Sequence, residues 1–371
     1  MLIFTGMKRV LKFLFLKTLR DLAQKFSSAP DKGKVHKALD NLLRSAHDIK
    51  DKHSLLLDIS GLSQSVIIFS DQHKGARNAK DDFKNAEKNY LAALAYYDQE
   101  KYYLINLGDS EELWKNPVNA ILKNNREIFS LEKKFIQRQA FSKVIGNHDL
   151  MWKEDPLAPF YLKNMYGKSI PVFESVVIHY QKNPFVCKLL CTHGHQGDRQ
   201  SDGNAFSKWF VSRIWGPLQS FFELNPNTPS CNNEKKSLHN EYMYEWSSRQ
   251  NDLLLITGHT HQPVFKSLTH LERLYLDLEN AIAINDIEKI KKIEQEIPRR
   301  KAEYNIVNES FRQLLPYYFN SGCCCFDDGT ITGIELKEGE IMLIKWSYQK
   351  DIPQRTILER ITLEELFKTT L

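Results

Sequence analysis

The sequence lacks several features that would assign it to a class at once. No apolar run reaches the roughly 18 residues of a membrane-spanning helix, and no CxxC pair suggests a zinc ribbon. Of the six cysteines, three are consecutive, which favours small buried side chains over a disulfide framework. A reducing, cytoplasmic environment is therefore expected.

A strong excess of either charge is also missing. The formal net charge is +5 over 371 residues, and no stripe combines basic with aromatic side chains. This balance suits an anionic substrate, but it is too weak to indicate nucleic acid as a partner. Because no GxSxG motif occurs and no cysteine lies in an evident catalytic context, a covalent protein nucleophile is not expected.

Residues 1–55 are predicted to form a basic helical extension without active-site chemistry. The stretch 7–26 places apolar side chains among lysines and arginines. Such a helix suits either packing against the domain or peripheral contact with an anionic membrane surface, and both remain open. Lysines interrupt the apolar stretch and no small-residue cleavage site follows, so a secretory signal is not expected.

Residues 56–371 are predicted to form one α/β domain. Its first half repeats a short apolar strand, a polar strand end and a helix, which is typical of a largely parallel sheet. The strands are expected at 65–69, 102–107 and 142–145, with helices at 86–99 and 117–139. Further strands are expected at 172–180, 185–191, 253–256, 317–326, 330–335 and 340–346.

Two segments of this domain are interpreted as insertions. A lid insertion covers 200–250 and contains a Trp- and Phe-rich helix and loop at 206–222. A charge-laced helical hairpin covers 268–315. Runs of charge usually form solvated faces, and a dimer arm or a substrate cap is the alternative.

Five strand ends carry polar residues of one chemical type. They are Asp71-Gln72-His73, Gly108-Asp109, Gly146-Asn147-His148-Asp149, Thr192-His193-Gly194-His195 and Gly258-His259-Thr260-His261. Ligands of open α/β sheets collect at the carboxyl ends of strands, so the five loops are expected to form one site. Imidazole with carboxylate suits Zn, Fe or Mn, and paired ions about 3.5–4 Å apart are typical of phosphatases and nucleases.

The order D-x-H, GD, GNHD, H and GHxH resembles the calcineurin-like metallophosphoesterase superfamily. The resemblance runs from about 66 to 261. It implies a four-layer α-β-β-α sandwich with two mixed sheets and a helical insertion, and two divalent metal ions, Mn first with Fe or Zn as alternatives. The implied metal ligands are Asp71, His73 and His261 for the first ion, Asn147, His193 and His259 for the second, and Asp109 between them.

The same resemblance implies two catalytic residues. His148 would donate a proton, or place a positive charge, beside the leaving-group oxygen, and Asp149 would orient His148. A hydroxide that bridges the metals would attack phosphorus. Glu112 stands three residues after Asp109, where a purple acid phosphatase would have tyrosine, so that branch is not favoured.

Three residues are candidates for contact with the substrate. Lys74, Arg77 and His195 lie beside the motifs and are candidates, with ordinary loop roles as the alternative. Surface or structural roles are expected for the six histidines that lie outside any motif, namely His36, His47, His53, His179, His239 and His270.

The predicted activity is hydrolysis of a phosphomonoester or phosphodiester on a small-molecule or lipid-linked substrate. One alternative is a nucleotide-lipid pyrophosphatase similar to UDP-diacylglucosamine hydrolases, which share the THGHQGD stretch but typically carry arginine in place of His148. Another is a non-catalytic scaffold of the same fold, similar to one retromer subunit. Scaffolds of that kind lose metal ligands, whereas this chain retains the whole set. The oligomeric state is left open.

Overall fold

The protein is described by a computed structural model that covers residues 31–46, 53–60, 64–78, 81–197, 233–301 and 315–368. Two seven-stranded mixed sheets pack face to face, and helices cover both outer surfaces. The predicted four-layer α-β-β-α sandwich is therefore confirmed.

The elements are numbered along the chain. The strands are β1 (Ser54–Asp58), β2 (Val66–Phe69), β3 (Tyr103–Leu107), β4 (Phe141–Val144), β5 (Val172–Phe173), β6 (Ser175–Lys182), β7 (Phe185–Thr192), β8 (Leu253–Thr257), β9 (Val264–Phe265), β10 (Leu268–Thr269), β11 (Tyr318–Asn320), β12 (Ile331–Lys337), β13 (Glu340–Gln349) and β14 (Ile352–Thr362). The helices are α1 (Lys32–Ser45), α2 (Glu87–Gln99), α3 (Val118–Asn124), α4 (Arg126–Gln137), α5 (Met151–Glu154), α6 (Ala158–Tyr166), α7 (Asn233–Ser247), α8 (His270–Ala283), α9 (Ile287–Lys301) and α10 (Leu363–Lys368).

The sheet topology gathers the strand ends that carry the motifs. One sheet has the order β14-β13-β12-β2-β3-β4-β5, in which β2, β3 and β4 run parallel. The other has the order β1-β6-β7-β8-β11-β9-β10, in which β7 and β8 run parallel. Parallel neighbours end at the same edge of a sheet, so the motif residues after these strands become neighbours.

Apolar side chains from both sheets form the central core. Ile105 and Leu107 of β3 share one buried cluster with Ile178, Leu189 and Leu254 of the facing sheet. Helices α2 and α4 cover the outer surface of the first sheet, while α1 and α7 cover the second. The motif loops are thus held by a core that is closed on both sides.

The described part of the predicted N-terminal extension belongs to the domain. Helix α1 starts at the cap Asp31 and buries Val35 and Leu39 completely in the cluster that includes α7. Residues 54–58 form strand β1, parallel to β6, rather than the end of a helix. The candidate membrane-contact stretch 7–26 lies outside the described residues.

The two predicted insertions differ in the structure. Met243 and Trp246 of α7 are buried against the second sheet, so this helix forms part of the outer layer. The predicted helix at 206–222 lies outside the described residues. Within 268–315, α8 and α9 form a helical pair with its own small core, after the short strand β10.

Strand β14 and helix α10 were not predicted from the sequence. The residues of β14 are mostly exposed or only partly buried, so the strand lacks a clear apolar alternation. It is an edge strand held by pairing with β13. None of the helices in the described ranges has the length and apolar character needed to cross a membrane.

Candidate metal centre

The residues predicted as metal ligands lie on loops with an unusual backbone. Left-handed φ angles, which side chains other than glycine rarely adopt, occur at five of them. They are Asp71 (52°), His73 (48°), Asp109 (49°), His259 (67°) and His261 (56°). Backbone strain of this kind clusters at functional sites, where the surrounding structure has to maintain it.

The first group contains Asp71, His73 and His261. His261 Nε2 lies 3.2 Å from Asp71 Oδ1 and 3.2 Å from His73 Nε2. His73 Nε2 also lies 3.7 Å from Asp109 Oδ2. The structure therefore brings together the ligands predicted for the first ion, with Asp109 at their edge.

The second group contains Asp109, His193 and His259. Their ligand atoms all lie within 4.8 Å of one another, and His193 Nε2 is 3.3 Å from Asp109 Oδ2. Asn147 follows β4, and its Oδ1 is buried without a hydrogen-bond partner among the described residues. Asp109 belongs to both groups, as a residue that joins two cations must.

Each carboxylate in the centre has one oxygen held by the protein and one directed at the histidines. Asp71 Oδ2 accepts from Ser70 Oγ at 2.5 Å and from His259 N at 2.9 Å. Asp109 Oδ1 accepts from the backbone N of His148 at 2.7 Å. His193 Nδ1 donates a hydrogen bond to Leu107 O at 3.0 Å, and this leaves the other ring nitrogen, Nε2, facing Asp109. Such outer contacts orient metal ligands and select the imidazole tautomer.

Buried polar atoms show that these residues fit cations. Within the described residues, Asp71 Oδ1, Asn147 Oδ1, His193 Nε2 and His259 Nε2 are buried and make no hydrogen bond. Each such atom costs about 1–3 kcal/mol when it is left unsatisfied. Four of them in one centre, all of a type that ligates Zn, Fe or Mn, are well matched to two divalent cations.

The charges of the centre lead to the same conclusion. Burial lowers the pKa of His193, but Asp109 and Asp71 outweigh burial and raise that pKa to about 9. Burial raises the pKa of Asp109, but His193 and His148 outweigh it and bring that pKa below its ordinary value. The carboxylates therefore require positive charge between them, which protonated imidazoles or bound cations supply.

Two glycines make this arrangement sterically possible. A Cβ at Gly146 would overlap Asp109 Oδ1 and the Asp109 backbone nitrogen, and a Cβ at Gly258 would overlap Ser70 and Asp71. Both positions need glycine because the motif loops approach each other too closely there to leave room for a side chain.

Comparison with known proteins identifies the family. The model of the calcineurin-like phosphoesterase family matches residues 65–263. This chain belongs to that family. Its members generally bind two divalent metal ions, in agreement with the two ligand groups described above. No curated protein matches the chain.

Solved structures give weaker similarities to this chain. Vacuolar Protein Sorting 29 from Cryptosporidium parvum is 12% identical, covers 81% of this chain and 98% of its own, and has a TM-score of 0.32. A dimetal phosphatase from Danio rerio is 10% identical, and the match covers 81% of this chain and 98% of the phosphatase, with a TM-score of 0.36. Vps29 from Entamoeba histolytica is 12% identical, and the match covers 81% of this chain and 99% of Vps29, with a TM-score of 0.32. Similarity at this level carries no argument about activity.

The partner of His148 differs from the predicted one. His148 Nδ1 lies 3.0 and 3.1 Å from the two carboxylate oxygens of Glu112, and the Trp114 ring stacks on the imidazole at 3.9 Å between centroids. Asp149 instead accepts from the backbone nitrogens of Gly146, at 2.6 Å, and Ser110, at 2.8 Å. The prediction that Asp149 orients His148 is therefore wrong.

Asp149 stabilises the motif loops instead. Its carboxylate lies beneath them, where burial, followed by the nearby Asp109 and Glu111, raises its pKa to about 6. Lys143 opposes this shift. The sequence did contain a signal for the correct partner, because Glu112 lies only three residues after Asp109.

Two of the predicted substrate contacts are turned away from the centre. Lys74 is completely buried, with Nζ 2.8 Å from Glu132 Oε1 and 3.2 Å from Glu111 Oε1, so its charge is already paired inside the domain. Arg77 forms ion pairs with Glu87 and, at 3.6 Å, with Asp81. The substrate role predicted for Lys74 is therefore wrong, and the Arg77 guanidinium is occupied by carboxylates.

His195 lies at the metal centre, as predicted from its position beside His193. Two residues that belong to none of the motifs, His239 and Cys325, also lie there. The His195 ring lies 5.3 Å from the His193 ring. His239 of α7 is buried with its ring 5.3 Å from that of His259, and Cys325 Sγ lies 3.8 Å from His261 Nδ1. Isolated residues of this kind carry no sequence signal, since only folding brings them to the motif loops.

Glu112→Gln is predicted to lower turnover by about 10- to 100-fold, the usual effect of losing a residue that orients an active-site histidine. The amide keeps the shape of Glu112 but removes the charge beside His148 and, at 3.3 Å, beside His73 Nδ1. Steady-state kinetics with the metal content of each preparation would measure this. Glu127→Gln, an exposed change on α4, is the control, and equal turnover of the two variants would contradict the orienting role.

Proposed function

We propose that this chain is a two-metal phosphoesterase that hydrolyses a phosphomonoester or phosphodiester of a small-molecule or lipid-linked substrate. The proposal depends chiefly on Asp109, whose carboxylate belongs to both groups of candidate ligands. We assign Asp71, His73 and His261 to one cation, and Asn147, His193 and His259 to the other. Mn is our first choice of metal, with Fe or Zn as alternatives.

The residues of the chain support this chemistry in distinct ways. Bound cations of this type neutralise phosphate oxygens and make water a better nucleophile near neutral pH. His148 has Nδ1 occupied by Glu112, so Nε2 is the nitrogen available to a substrate oxygen. The stacked Trp114 limits rotation of the imidazole. We assign His148 the transfer of a proton to the leaving group, or the stabilisation of its charge.

Two alternatives lead to different expectations. A nucleotide-lipid pyrophosphatase would cleave UDP-diacylglucosamine, although the histidine at position 148 favours phosphatase or phosphodiesterase chemistry. A scaffold of the same fold would bind a protein without turnover, but retention of every candidate ligand favours catalysis. In the described ranges the cysteines are free thiols, which is compatible with the cytoplasmic location that we propose.

The proposed activity is tested with p-nitrophenyl phosphate and its bis-ester. We expect hydrolysis of at least one substrate when the protein is loaded with Mn²⁺, and loss of activity when a chelator is added. Parallel assays with UDP-diacylglucosamine and single-stranded DNA separate the pyrophosphatase and nuclease alternatives. Folded protein that is inert with Mn²⁺, Fe²⁺, Zn²⁺ and Mg²⁺ would contradict the enzyme and favour the scaffold.

A further inference from the structure

Helix α7 lies directly behind the two histidine-bearing loops of the candidate metal centre. Its anchor is apolar, because Met243, Tyr244 and Trp246 are buried in the cluster that includes β8 residues Leu253 and Leu255. The helix is therefore fixed to the sheet from which both loops emerge. It also presents two adjacent polar residues, His239 and Asn240, which are both almost completely buried.

His239 holds the first loop, residues 193–195. Its Nε2 lies 2.6 Å from the carbonyl oxygen of Gly194, the residue between His193 and His195. A carbonyl only accepts hydrogen bonds, so Nε2 carries the proton. Gly194 has φ +103°, a conformation that glycine adopts readily and that other residues rarely adopt.

Asn240 holds the second loop, residues 259–262. Its Nδ2 donates to Gln262 Oε1 at 2.8 Å, and its Oδ1 accepts from Thr260 Oγ1 at 3.4 Å. Tyr318 OH also donates to Asn240 Oδ1, at 3.0 Å. Thr260 lies between His259 and His261, which both have left-handed backbones. The side-chain amide thus uses both of its ends to fix the loop against α7 and β11.

We infer that α7 is a positioning element of the metal centre, in which His239 sets the loop of His193 and Asn240 sets the loop of His259 and His261. The two residues are consecutive on one rigid helix, so they fix the distance between the loops as well as the shape of each. Neither residue touches substrate or a cation in this role. The inference deepens the proposed function and depends on it only for the presence of cations.

The first test measures cation binding in His239→Leu and Asn240→Ala. Titration with Co²⁺, followed by calorimetry and visible absorption, is expected to show about 10- to 100-fold weaker affinity and altered absorption bands. His239→Gln retains an N–H for Gly194 O and is expected to bind Co²⁺ more tightly than His239→Leu. Ser247→Ala is the matched control, because Ser247 is buried on the same helix and its Oγ donates to Tyr244 O of that helix.

The second test needs no cation. Amide hydrogen exchange of the metal-free protein is expected to accelerate at 193–195 in His239→Leu and at 259–262 in Asn240→Ala, relative to Ser247→Ala. If the alanine or leucine variant does not fold, Asn240→Ser and His239→Met, whose side chain has no N–H for Gly194 O, take its place in the same comparison. Faster exchange confined to the loop of the altered residue supports the positioning role.

Unchanged exchange in both loops would overturn the inference, and so would Co²⁺ affinity equal to that of Ser247→Ala. These outcomes differ from failure of the proposed function. A wild-type protein that binds no Co²⁺ and hydrolyses no phosphoester would contradict the enzyme, while exchange at the two loops would still decide the role of α7.

Discussion

Asp109→Asn is expected to lower the rate of hydrolysis by roughly 1000-fold and to release cations from both sites together. Asp109 Oδ2 lies 3.3 Å from His193 Nε2 and 3.7 Å from His73 Nε2, so its charge serves both ligand groups. The amide keeps the size of the carboxylate but removes the negative charge that two dications require. A loss of about 4 kcal/mol of transition-state stabilisation, or roughly 1000-fold in rate, is the expected scale.

The Asp109→Asn experiment compares cation content, by elemental analysis, with turnover in the same preparation. Asp98→Asn is the control, because Asp98 forms a partly buried ion pair with Arg138, at 3.2 Å, at the opposite end of β3. It removes the same charge and should leave both quantities unchanged. If Asp109→Asn retained two cations per chain, the bridging assignment would be wrong even with turnover lost.

His148→Ala is expected to lower turnover by about 10²- to 10⁴-fold, the usual contribution of a general acid or base. Cation content should stay near that of the wild type, because the His148 ring is held by Glu112 and Trp114 rather than by Asp71 or Asp109. The backbone nitrogen of residue 148 still donates to Asp109 Oδ1, so the bridging carboxylate keeps its support. Turnover number and metal content, measured on one sample, separate these effects.

Added imidazole offers a second measurement on His148→Ala. The truncation leaves space beside Trp114 and Glu112, and free imidazole bound there should restore part of the activity. His53→Ala, at an exposed residue near the start of β1, is the control and should show neither loss nor rescue. Loss of the cations from His148→Ala would contradict the assignment of this residue to the leaving group.

The sequence predicted those parts of the structure that depend on local pattern. The apolar runs before Asp71 and Asp109 are central strands because β-branched and leucine side chains there are buried on both faces. The positions of their polar ends followed from the rule that parallel strands deliver ligands at their carboxyl ends. Where the alternation is weak, as in β14, the sequence carried no such signal.

The sequence by itself determined the order of strands and helices and the motifs at the strand ends, because both are local patterns. The resemblance of those motifs to the phosphoesterase family implied the four-layer fold and the set of candidate ligands. Only the tertiary structure decided which charged side chains meet. It paired His148 with Glu112 rather than Asp149, buried Lys74 against Glu132, and placed His239 of α7 behind the histidine loops. Such pairings depend on side-chain direction and on the packing of distant segments, and spacing along the chain does not encode them.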